Sequence, residues 1–132
     1  MAYMDQNRKK ELAAKIRAVL PKGWKVTFGV NNHSTFVITI HSTPHDFYAM
    51  MRATDTIAEN ETRENFNFSI YNARAASKYF DNPELTAIFE KIFDAANSGN
   101  HDNSDTMTDY FDVGWYVHLN VGTWNKPYSQ NV

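Results

Sequence analysis

Two groups of residues in this chain have the types and spacing to do chemistry. The first is His101-Asp102 with Asp105, Asp109 and Asp112. An imidazole with several carboxylates in one loop could hold a hard or borderline divalent ion. The spacing is not that of a calcium-binding EF-hand loop, however, and no HExxH occurs in the sequence. The Asn and Asp side chains of 100–105 equally suit a loop that hydrogen-bonds its own backbone, so no metal is expected. The second group is His41 and His118, with Tyr116 two residues from the latter. Imidazoles titrate near neutrality and could act as acid and base. Whether they meet depends on strand order, which the sequence does not fix.

Other reaction classes are excluded or unsupported. With no cysteine there is no disulfide, thiolate metal site or thiol nucleophile. Nucleophile-elbow, P-loop and dinucleotide motifs are absent, and five glycines in 132 residues leave no phosphate-cradling loop. The expectation is a protein without cofactor, more binder than enzyme, with His101, His41 and His118 as the residues of an enzymatic or metal-binding alternative.

Charge is unevenly distributed although the formal total is only −2. Residues 1–25 carry seven bases (Arg8, Lys9, Lys10, Lys15, Arg17, Lys22 and Lys25) against Asp5 and Glu11. Residues 81–112 carry eight acids and one base, Lys91. The acidic side makes Asp102, Asp105, Asp109 and Asp112 candidate partner-binding residues, with Trp124 as an aromatic anchor. Trp24 and Tyr128 also lie near strand ends, Trp24 assigned to the core. The basic side makes Arg8, Lys9, Lys15 and Arg17 candidates for nucleic-acid contact, though no aromatics interleave with them.

Period-2 alternation places these residues on strands. Phe111, Val113, Trp115, Val117, Leu119 and Val121 alternate with Asp112, Gly114, Tyr116, His118, Asn120 and Gly122, which predicts one long half-buried strand. Trp24 to Val30 and Phe36 to Ile40 predict a hairpin turning at Asn31–Ser34, where Asn tolerates positive φ. Phe66, Phe68 and Ile70 predict a short strand. Helices are expected over Asp5–Leu20, His45–Glu59 and from Asn82-Pro83-Glu84 to Asn97, the last with an Asn cap, Pro at the first position and apolar residues at helical spacing. Residues 73–80 are undecided between irregular chain and a turn of helix, and Asn125–Val132 reads as a tail.

These elements predict a single α+β domain over residues 1–132: an antiparallel sheet of about four strands with two to three helices on one face, a two-layer sandwich. The 42% hydrophobic and 14% aromatic content supports a real core. A charged N-terminal helix without an apolar leader, and no run long enough to span a bilayer, predict a cytoplasmic protein.

Three segments, Tyr3–Val19, Asn32–Ile40 (NHSTFVITI) and Gly99–Tyr128 (GNHDNSDTMTDYFDVGWYVHLNVGTWNKPY), together resemble one of the large polyvalent protein-associated domain families. The last segment, NHDNSD followed by TDYFDVGWYV, is its most specific part. Members of such families occur in phages, plasmids and integrated mobile elements. The resemblance carries no catalytic residue to any position here. It implies a setting: a small host-cell protein that binds a host protein such as a nucleic-acid-binding defence complex, in the manner of an anti-CRISPR. The acidic run would then stand in for phosphates.

Overall fold

The computed structural model describes residue 4 and residues 6–57, 61–62, 64–98, 115–123 and 125–130. Among them the chain forms α1 (Gln6–Val19), β1 (Lys25–Asn31), β2 (Thr35–Thr43), α2 (Phe47–Ala53), β3 (Phe68–Ile70), α3 (Ala73–Phe80), α4 (Pro83–Ala96), β4 (Tyr116–Val121) and β5 (Ser129–Gln130). This is the expected α+β fold.

Local chemistry explains most boundaries. The hairpin turns through Asn32 and His33, both left-handed at φ 54° and 57°, and Ser34 N–H donates to the Asn31 carbonyl at 3.2 Å. That is a primed turn, whose twist matches the flanking strands. Asp46, Asn72 and Asn82 each cap a helix by accepting from the N–H three residues on. The undecided stretch 73–80 is therefore a helix, started by the Asn72 cap and stopped by Asp81 at φ 46°. α2 is shorter than the expected 45–59. It ends at Ala53 because Asp55 turns left-handed at φ 56°, while Thr56 N–H donates to the Met51 carbonyl at 2.9 Å and the Thr54 hydroxyl to the Tyr79 carbonyl at 2.7 Å.

The sheet order is β1-β2-β4-β3, and the sheet is mixed rather than antiparallel as expected. β1–β2 and β3–β4 run antiparallel, but β2 and β4 are parallel neighbours, Phe36 opposite Val117 and Ile38 opposite Leu119. The physical reason is the long connection: α2, β3, α3 and α4 intervene, enough chain to return β4 in the direction of β2. β5 then pairs with Ser42 and Thr43, taking over the flank of β2 that β4 leaves at Val121. Residues 125–130 are consequently no tail; Tyr128 is only 5% exposed.

One sheet face and the helices share the core. Phe36, Ile38, Ile40, Ile70, Leu119 and Val121 meet Leu12 and Ile16 of α1, Phe47 and Met51 of α2, Phe80 of α3, and Leu85, Phe89 and Ile92 of α4. Phe47 is its hub, stacked on Phe80 at 4.5 Å and on Tyr128 at 4.8 Å. No helix among the described residues is long and apolar enough to cross a membrane.

Candidate functional site on the open sheet face

Because side chains alternate, every residue between the core positions points to the second face, and no described helix packs on it. The register lines its residues up in cross-strand rows. Thr27, Thr39, Asn120 and Ser69 form one row, and Gly29, Val37 and His118 the next, with Tyr71 just past the end of β3 against His118. Thr35 and Tyr116 follow. Tyr71 and Tyr116 are exposed, at 71% and 49%, and they flank His118.

A hydrogen-bond network fixes the centre of this face. Ser69 Oγ donates to Asn120 Oδ1 at 2.9 Å, and His118 Nε2 lies 2.8 Å from the same oxygen. A carbonyl oxygen only accepts, so Nε2 donates in this arrangement. Ser69 Oγ is 3.4 Å from Nε2, but both groups donate to Asn120 and neither activates the other. A serine nucleophile needs the base's lone pair on its hydroxyl; this arrangement is instead a rigid polar platform. Tyr71 meets the His118 ring edge-on at 6.1 Å.

His41 and His118 are on the same face but apart. His118 stands opposite Val37, four positions along β2 from His41, or roughly 13 Å at the strand rise. His41 Nε2 is instead 2.8 Å from the Thr27 hydroxyl. They are not an acid–base pair.

The bases of α1 largely turn back on their own chain. The Arg8 guanidinium lies 5.0 Å over the Trp115 ring and that of Arg17 5.1 Å over Phe28. Lys15 bonds Ser98 at 2.7 Å and pairs with Glu11 at 3.6 Å. These contacts fasten the helix to the sheet and to the end of α4; among the described residues Lys9 makes no such tie, and it lines a groove beside β1.

The acidic candidates Asp102, Asp105, Asp109 and Asp112, together with His101 and Trp124, lie outside the described residues. The earlier acids of the same run, Asp81, Glu84, Glu90 and Asp94, are exposed on and beside α4. No three of His, Asp and Glu cluster as a metal site among the described residues. Trp24 and Tyr128, by contrast, are core residues rather than surface anchors. Nothing in the sequence alone points to Ser69 and Tyr71 as site residues. Their parity in 66–71 puts them on the polar side of a strand, but only the pairing of β3 with β4 brings them to His118 and Asn120. Comparison with protein-family models, with curated proteins and with solved structures finds no match to this chain.

Proposed function

We propose that this is a non-enzymatic protein-binding protein encoded by a phage or mobile element, whose open sheet face meets a host partner and inhibits a host defence system. The observation that carries the binding reading is the row of Gly29, Val37 and His118, flanked by exposed Tyr71 and Tyr116 and tied to Ser69 and Asn120 of the neighbouring row. Tyrosine offers large amphipathic contact area with few rotors to freeze, and Ser, Thr and Asn offer adaptable hydrogen bonds. A platform already fixed by hydrogen bonds loses little freedom on docking. The mobile-element setting rests on the resemblance of the three sequence segments. Asp102, Asp105, Asp109, Asp112 and Trp124 join the proposed contact on sequence grounds, whereas the exposed acids Asp81, Glu84, Glu90 and Asp94 belong to the helix layer across the sheet.

The test is capture from nuclease-treated host lysate, followed by affinity measurement on the retained protein. Wild type should hold one stoichiometric host protein, and Tyr71→Ala/Tyr116→Ala should release it with thermal unfolding nearly unchanged. Gly29→Tyr tests the same face from the other side, since a Cβ at Gly29 meets nothing within 4 Å. Undiminished binding by both variants overturns the assignment to this face.

A further inference from the structure

A second surface, on the opposite side of β1, has a different chemistry. Between α1 and β1 runs a groove of about 340 Å³. Lys9, Lys10 and Arg17 line one wall, with Ala13 below them; three consecutive residues, Val26, Thr27 and Phe28, line the other. Consecutive strand residues point to alternate faces, so that second wall is the edge of β1 itself. β1 pairs with β2 alone among the described residues. Alternate backbone N–H and C=O groups along Lys25–Asn31 therefore point away from the sheet, as in any edge strand open to pairing.

The charge around this edge has one sign. No acid lines the groove, and among the described residues neither Lys9 nor Lys10 has an ion-pair partner. Its one aromatic, Phe28, carries the Arg17 guanidinium over its ring and stacks on Phe36 at 5.8 Å. Phe28 is thus engaged within the fold, and a nucleic-acid base has no free platform on which to stack. What remains is cationic side chains over an apolar floor, beside main-chain groups that pair with no strand among the described residues.

We propose that this groove takes an acidic, extended segment of a partner polypeptide, added as a strand along β1. Main-chain hydrogen bonds would supply pairing. Every second side chain of the added strand faces the helix layer, and carboxylates at those positions meet Lys9, Lys10 and Arg17. This contact is separate from the open sheet face, so either can fail alone.

The experiment uses the full chain and fluorescence polarisation with a labelled peptide that alternates glutamate and valine, matched in length to β1. Saturable binding that weakens with salt is expected. N-methylation of alternate peptide nitrogens should abolish it, because those N–H groups pair with the edge. Lys9→Glu/Lys10→Glu should lower affinity about tenfold or more and bind the lysine–valine peptide instead. That variant is suited to fold: Glu is a good helix former and favours a helix's first turns. Equal binding by the N-methylated peptide, tighter binding of oligothymidylate than of the acidic peptide, or no saturable binding each overturns the proposal.

Discussion

The hydroxyls of Tyr128 and Thr43 lie 2.6 Å apart in the core, joining residues 85 positions apart in sequence. Tyr128 donates to the His45 carbonyl at 2.7 Å, so the Thr43 hydroxyl donates to Tyr128, while Thr43 Oγ1 accepts from His45 N–H at 3.0 Å. This closed chain fastens the last described residues to the end of β2. Tyr128→Phe strands the Thr43 hydroxyl and the His45 carbonyl. A loss of about 1–3 kcal/mol in urea unfolding is expected.

Burial pushes the Tyr128 phenol up to about 12, with Asp46 adding in the same direction and the Thr43 hydrogen bonds opposing it. Folding thus favours the protonated form. The contribution is whole below pH 10, the phenol's ordinary value, and is lost as pH rises from 10 through about 12. Wild-type stability should fall by about 2–3 kcal/mol more than that of Tyr128→Phe across that window. Parallel losses in the two proteins would refute the assignment.

Gly122 lies at φ +71°, and a Cβ there would stand 2.4 Å from Tyr128 N and 3.1 Å from the Phe66 carbonyl oxygen. Gly122 N–H donates to Ile40 and Tyr128 N–H to Phe66, so the chain must leave β4 and re-enter as β5 at this closeness. Gly122→Ala should cost at least about 1–3 kcal/mol from strain alone. Gly29→Ala is the control: with open space at its Cβ, it should be neutral or stabilise by up to about 1 kcal/mol.

Two buried tryptophans should respond differently to Phe. Trp115 Nε1 donates to the Ala96 carbonyl at 3.0 Å and its ring carries Arg8. Trp24 Nε1 is buried without a hydrogen-bond partner among the described residues. Trp24→Phe removes an unmet donor, whereas Trp115→Phe breaks a made bond and orphans the end of α4. Trp115→Phe should be the costlier by about 1–2 kcal/mol, read from denaturant midpoints. The reverse order would show that ring volume outweighs the hydrogen bond.

If the cations of α1 work within the fold, removing them lowers stability at moderate salt. Arg8→Ala and Arg17→Ala should each cost about 0.5–1 kcal/mol, through lost cation–π contact and lost packing of the side-chain stem. Unchanged melting temperatures would refute a stabilising role for these two side chains.

Much of this fold was legible because its signals are local. The Asn82-Pro83-Glu84 start of α4, the apolar stripe of α1 and the Asn32-centred turn are written in neighbouring residues, as is the alternation of β2 and β4 that sorts His118, Asn120 and Tyr116 onto the polar face. Three features were not local. Alternation is the same for a parallel and an antiparallel strand, so the direction of β4 beside β2 awaited the packing of three helices between them. His41 and His118 share a face, but the register alone sets them apart and brings Ser69 and Tyr71 to His118 instead. Tyr128, in a polar stretch that reads as a tail, is held by Phe47 and Thr43, residues far off in sequence. The sequence determined most of the elements, though not α3, β5 or the end of α2, and which face each strand side chain takes, because those follow from propensity and periodicity. Only the tertiary structure decided which strands are neighbours and what the polar face assembles, because pairing across tens of residues is set by how the helices bury the common core.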